Sequence, residues 1–251
     1  MATDALTTHT ADARRGALFV ACAALCFASV SALVKGLGDG LPNTLLVFFR
    51  SLFGMLFLLP WLVRAAPGSL HTRVPGLHLL RALFGLGALY GYFWTLGRIP
   101  LADAVLLTFS APLFIPFFAR LWLGEPVPPR TVGAVLLGLG GLLLILRPGT
   151  GLFQPEALAG IGAALCAALA LVTVRQLGRV HEPATRVVFY FALLGTAGSA
   201  VPLAWSWQMP RPGDWLALVA IGAFATTGQY LLTRGYACAP AGQVGPFSYL
   251  T

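Results

Sequence analysis

Charge is what this chain has least of. Only 10% of its 251 residues are Asp, Glu, Lys or Arg, and just 8 of those are acidic. An ordinary soluble domain is about one quarter charged. That shortage excludes a water-soluble enzyme, a disordered tail and a nucleic-acid binder. Cysteine is sparse too: Cys22, Cys26, Cys166 and Cys238 all sit in apolar stretches with no second Cys pair, His or Asp beside them. They read as small buried hydrophobes, not as ligands or a disulfide framework. No Walker A, GxSxG or HExxH motif occurs. The glycines at Gly36-x-Gly38-x-Gly40 and Gly85-x-Gly87 follow no strand pattern, so neither cradles a nucleotide. No metal and no cofactor are expected.

What the chain has in plenty is apolar length. Hydrophobic residues make up 58% and mean hydropathy is +0.83. A membrane-crossing helix needs about 20 such residues, rising about 1.5 Å each across some 30 Å of hydrocarbon. Apolar runs of that kind lie at about 16–34, 44–63, 76–96, 101–123, 131–147, 157–174, 185–207 and 214–236, and a ninth starts near Ala241 and is still apolar at Thr251. Helix-length runs without two-residue alternation predict a polytopic all-α bundle, not a barrel. Arg14-Arg15 precede the first run as in a signal peptide. That run, however, is long, carries no small-x-small site before Lys35, and follows a tail containing Asp4 and Asp12. It reads as an uncleaved span.

The net charge of +8 is dealt out singly between the runs. With a cytoplasmic N-terminus, the inner side collects Arg14, Arg15, Arg64, Arg73, Arg81, Arg120, Arg130, Arg175, Arg179, Arg186 and Arg234. The outer side then holds Lys35, Arg98, Arg147 and Arg211. Positive charge favours the cytoplasmic side, which predicts N-in.

The chain also repeats itself. Ala23-Ala24-Leu25-Cys26 recurs as Ala163-Ala164-Leu165-Cys166, and Lys35-Gly36-Leu37-Gly38 meets Arg175-Gln176-Leu177-Gly178 at the same shift of 140 residues. One residue later in register, Thr44 matches Thr185 and Phe48-Phe49 matches Phe189-Tyr190. A common shift carries more weight than any one short match. It spans five helices, an odd number, so the second copy enters the membrane from the opposite side. Inverted repeats of this kind are a hallmark of secondary transporters. The expected layout is a tail over 1–15, a five-helix repeat over 16–147, a linker over 148–156 and an incomplete second repeat over 157–251. The same shift puts the end of a complete second copy about 36 residues past Thr251. The expected fold is therefore a ten-helix bundle of two inverted five-helix repeats, with about 8.5 helices present.

Certain residues resemble a known family. Phe48-Phe49-Arg50-Ser51 in helix two resembles the aromatic-x-Arg signature of EamA-type carriers of the drug/metabolite transporter superfamily. Leu121-Trp122-Leu123-Gly124-Glu125 closes helix four like that family's Leu-Gly-Glu ending, with Pro112 upstream. Ala239-Pro240-Ala241, leading to Pro246-Phe247-Ser248-Tyr249-Leu250, is similar to the start of its ninth helix. The second copy departs from the first at Phe191, where Arg50 has no counterpart. The resemblance covers the chain from about Gly16 on. It implies a ten-helix carrier of the bacterial inner (plasma) membrane with a central cavity between repeats.

Candidate site residues follow from what is costly to embed. An ionisable group at mid-membrane costs about 2.5–3.5 kcal/mol on insertion scales. Arg50 stands about six residues into helix two, and snorkelling or a structural bond competes with a ligand role. It shares a face with Gly54 and Phe57. Arg81 and His78 open helix three on a face that continues to Tyr92, and for Arg81 anchoring to lipid phosphate competes with cavity lining. Asp103, at the start of helix four, is the only plausible proton carrier, although a helix N-terminus also favours a carboxylate there. Gln229, mid-helix with four bonding sites to satisfy, joins Tyr92 and Trp94 as a candidate cavity wall. Pro112 and Pro246 are expected kinks beside that cavity. Gly87 and Gly91, with Gly133, Gly138, Gly140 and Gly141, are expected to serve helix packing.

These readings converge on a secondary transporter moving a small organic metabolite, amino acid-like, zwitterionic or anionic, by alternating access. A non-transporting assembly subunit and an intramembrane enzyme stand as alternatives. The expected partners are the cargo and membrane lipid, with a homodimer open and no nucleic acid.

Overall fold

The computed structural model describes residues 2–37, 40–64, 70–108, 110–146 and 155–238. Among these the chain forms α1 (Ala2–Leu37), α2 (Asn43–Arg64), α3 (Pro75–Leu96), α4 (Leu101–Thr108), α5 (Ala111–Leu123), α6 (Pro129–Leu146), α7 (Pro155–Arg179), α8 (Ala184–Leu203) and α9 (Asp214–Cys238), with no strand. Six of these elements are long and apolar enough to cross a membrane: Arg14–Leu37 of α1, Asn43–Leu62 of α2, and all of α3, α7, α8 and α9. Short connections make successive spans alternate in direction. The bundle thus has two ends, called here the Lys35 end and the Arg175 end. Pro246 and the expected ninth run lie outside the described residues, as does Arg147.

The stretch expected as a tail over 1–15 is helical from Ala2 as part of α1, ahead of the apolar span Arg14–Leu37. One element departs from the sequence reading. The single helix expected over 101–123 is broken into α4 and α5. Pro112 sits in the first turn of α5, where a missing N–H leaves no gap in the ladder. The break therefore comes just before Pro112, closed by Ser110 Oγ donating to the Leu107 carbonyl at 2.6 Å. Pro116 is the proline inside α5, and it deprives the Pro112 carbonyl of its usual i+4 donor. α5 ends at Gly124, whose φ of 65° is open to glycine at little cost, and the Glu125 amide closes back on the Ala119 carbonyl at 3.3 Å. This reversal turns Glu125 toward α7, which gives the Leu-Gly-Glu ending a geometric purpose.

α1 packs along α9, α3 along α7, and α2 against both α8 and α9, while α5 leans on α7. Small residues set how close these pairs come. A Cβ on Gly91 would press on Ala163 of α7, and one on Gly222 of α9 would land on Phe53 of α2. Overfilling such a contact costs about 1–3 kcal/mol. α6 is peripheral, packing on α5 and leaving Leu137 and Leu144 about four-fifths exposed (80% and 79%). Its glycines mostly do not serve packing as expected. Gly138 meets Leu113, but Gly133, Gly140 and Gly141 face open space among the described residues, because no described helix covers that side.

Candidate functional site: two arginines at one aromatic ring

Arg50 comes from the Lys35 end of α2 and Arg81 from the Arg175 end of α3, yet both guanidinium groups reach Phe191 of α8. The Arg81 Cζ stands 4.0 Å from the ring centroid and the Arg50 Cζ 5.7 Å. The two charged groups are therefore within about 10 Å of one another. Both side chains are buried, Arg50 at 5% and Arg81 at 4% exposure. At roughly six or seven residues inside their helices they lie about 10 Å from a helix end, deep enough that embedding them needs compensation. An aromatic face supplies part of it, about 2 kcal/mol when desolvated. Arg81 Nη2 also donates to Gln229 Oε1 of α9 at 2.8 Å. Its Nε and Nη1 are buried and have no hydrogen-bond partner among the described residues.

These groups border a cavity of about 180 Å³ between α1, α2, α3, α5, α7, α8 and α9. Ser31, Arg50, Arg81, Tyr92 and Gln229 are its polar wall, and no carboxylate is among the described residues that line it. The rest is apolar or small, including Val20, Phe27, Leu89, Phe93, Pro112 and Leu171. Ser31 Oγ donates to the Phe27 carbonyl at 2.9 Å, so in the 2.6 Å Ser31–Tyr92 bond the phenol is the donor.

Arg50, Arg81, Tyr92, Gln229 and Pro112 thus share one cavity, whereas Trp94 and Asp103 do not join it. Trp94 is two residues beyond Tyr92, about 200° around the helix, so both cannot face the same hollow. Trp94 instead borders a second hollow of about 490 Å³ at the Lys35 end, with Lys35 and Asn43, and its ring lies 4.1 Å from the Arg98 Cζ. Asp103 is exposed in the first turn of α4, where a carboxylate suits the free amides. Phe191 escaped the sequence reading as a site residue. It showed only as the position where the second copy lacks an arginine.

Polar bonds tie both ends of the bundle. At the Arg175 end, Glu125 accepts from Arg175 Nε at 3.0 Å and Arg179 Nη2 at 2.8 Å, and Arg175 Nη1 caps the Tyr236 carbonyl of α9 at 3.1 Å. Nearby, Glu182 accepts from Thr72 at 2.9 Å and Arg186 at 3.0 Å, and lies 3.5 Å from the ring of buried His78. The His78 ring is tilted against that of Tyr190, their centroids 4.5 Å apart. At the Lys35 end, Thr44 meets Ser206 at 2.6 Å, Gln208 reaches the Gly40 carbonyl at 3.0 Å and Lys35 the Leu96 carbonyl at 3.2 Å.

A model of the EamA-like transporter family matches residues 14–147 and again 154–251. The chain belongs to the EamA-like transporter family. It is similar to the pseudopaline exporter CntI of Pseudomonas aeruginosa (strain UCBPP-PA14), 35% identical over 89% of this chain and 78% of that protein. It is also similar to a riboflavin transporter of Brucella anthropi, at 29% over 93% of this chain and 84% of the relative. An S-adenosylmethionine uptake transporter of Rickettsia bellii matches at 29%, over 86% and 74%. A solved crystal structure superposes with a TM-score of 0.73 at 28% identity, covering 93% of this chain and 83% of the other. Like these relatives, this EamA-like protein is an integral membrane protein, and they are transporters of small metabolites.

Proposed function

We propose that this EamA-like protein is a secondary transporter that carries a small organic metabolite, anionic or zwitterionic, through the Arg50–Arg81–Gln229 cavity. Two inverted five-helix repeats would rock about that cavity so that it opens to each side of the membrane in turn. The observation that carries the reading is the buried Arg81, whose Nε and Nη1 have no hydrogen-bond partner among the described residues, on a cavity wall whose described residues include no carboxylate. An uncompensated buried cation is costly unless a ligand completes it.

The inverted repeat has its own support. The family model matches in two stretches. In the packing, Gly87 of α3 lies against Cys166 of α7, and Gly228 of α9 lies against Cys26 of α1. Cys26 and Cys166 are related by the shift of 140 and Gly87 and Gly228 by 141, so one contact is the image of the other. α2 against α8 is then the pair that maps onto itself, and Arg50 touches Phe191, its own counterpart in that register. The dense arginine at the Arg175 end supports placing that end, with the N-terminus, in the cytoplasm of a bacterial inner membrane.

An assembly subunit has no use for orphaned donors around a cavity, and an intramembrane enzyme would need a reactive pair, which the polar wall of Ser31, Arg50, Arg81, Tyr92 and Gln229 does not supply. The test compares accumulated and excreted metabolites in cells making wild-type protein, Arg50→Ala protein or neither. One compound class is expected to move with wild type and to stop with the variant at equal expression. Movement that is identical in wild type and empty cells, across an untargeted panel, sinks the carrier reading.

A further inference from the structure

We infer that the cavity takes an organic molecule with two acidic groups on an apolar body, one acid for Arg50 and one for Arg81. This rests on the reading of the cavity as the cargo site and narrows it from zwitterions and monoanions to dianions.

The first ground is charge. Two guanidinium groups within about 10 Å share a wall with no carboxylate among the described residues. A monoanion would leave one of them uncompensated in a water-poor site. A zwitterion would do worse, because its ammonium would add a third cation. The neutral oxygens on this wall, Ser31 Oγ, Tyr92 Oη and Gln229 Oε1, could accept from an ammonium but would not offset its charge. The second ground is donor inventory. A guanidinium has five N–H donors, and Nε and Nη1 of Arg81 carry three of them. All three are buried without a hydrogen-bond partner among the described residues, enough for a carboxylate to accept more than one bond. Arg50 has the Phe191 ring as its contact among the described residues, leaving its donors for a second acid. The third ground is the remaining wall. Phe27, Leu89, Phe93 and Leu171 offer no hydrogen bond and favour an apolar body between the acids.

The probes are phenylsuccinate, its monomethyl ester and phenylalanine, which share a phenyl body and carry two acids, one acid, and an acid with an ammonium. Affinity is measured by titration calorimetry on the purified full chain in detergent. Phenylsuccinate is expected to bind at least about tenfold more tightly than the ester, since each charge-assisted bond contributes about that much, and phenylalanine no better than the ester. Arg50→Gln and Arg81→Gln should each abolish the preference for the diacid. Without ligand, Arg50→Gln should melt no lower than wild type, because it removes a like charge. Equal binding of the three probes to wild type overturns the inference and needs neither variant to fold. So does a diacid preference that survives both substitutions. Flux into proteoliposomes separates the two readings. A diacid that binds but never crosses keeps the dianion site and removes the carrier. An ester or phenylalanine that crosses as fast as the diacid removes the dianion site and keeps the carrier.

Discussion

Arg81 donates through Nη2 to Oε1 of Gln229, 2.8 Å away, and this one bond joins α3 to α9 beside the cavity. Gln229 holds the arginine without neutralising it, and in the proposed cargo site that charge is left for a ligand. Gln229→Glu is nearly isosteric and converts the bond into an ion pair. The variant is expected to melt no lower than wild type yet to lose at least about tenfold in transport of an anionic cargo, the worth of a charge-assisted bond. Melting and flux measured on one preparation check both halves. Unchanged flux would mean that Arg81 does not face the cargo.

How far this arrangement could be read in advance differs from residue to residue. The run at 214–236 became Asp214–Cys238 because helix length and hydropathy are both written locally. The break before Pro112 was not legible, since a proline within an apolar run fits an interior kink and a new first turn equally well. Arg81 and His78 sit near the start of α3, where a sequence cannot distinguish lipid from a neighbouring helix. The answer came from α8, which brings Phe191 and Tyr190 over them. Trp94 was misplaced by grouping it with Tyr92, although helical rotation alone separates the two.

Glu125 holds Arg175 and Arg179 at once, with its side chain only 9% exposed. Glu125→Gln leaves the two cations without their acid and should lower stability by about 3 kcal/mol, as for a buried pair broken on one side. Arg179→Ala should cost less, about 0.5 kcal/mol, because Arg179 is 37% exposed and Arg175 still serves the carboxylate. Melting of the two variants side by side tests the ranking. Equal losses would show that burial of Glu125 does not govern this contact.

The Ser31–Tyr92 bond links α1 to α3 across the cavity at 2.6 Å. Tyr92→Phe keeps the ring and removes the hydroxyl, leaving Ser31 still bonded to the Phe27 carbonyl. A modest effect is expected, about 1 kcal/mol in stability and no change in the diacid preference, because the phenol spends its proton on Ser31. A collapse of cargo binding in this variant would show that Tyr92 contacts the ligand directly.

The paired contacts of Cys26 and Cys166 give the inverted repeat a chemical test. A Cβ at Gly87 would lie 3.7 Å from the Cys166 Cβ, and one at Gly228 would lie 3.2 Å from the Cys26 Cβ. Disulfides form at Cβ separations of about 3.5–4.5 Å. Gly87→Cys should therefore link readily to Cys166 under mild oxidation. Gly228→Cys should link to Cys26 more slowly, since that site is tighter and also crowded by Phe27. Each link ties one repeat to the other, α3 to α7 or α1 to α9. If the repeats rock against each other, either link should stop flux, and a reductant should restore it. Peptide mass spectrometry identifies the bridge and a flux assay reads the consequence. A bridge that forms while transport continues unchanged would place the moving interface elsewhere in the bundle.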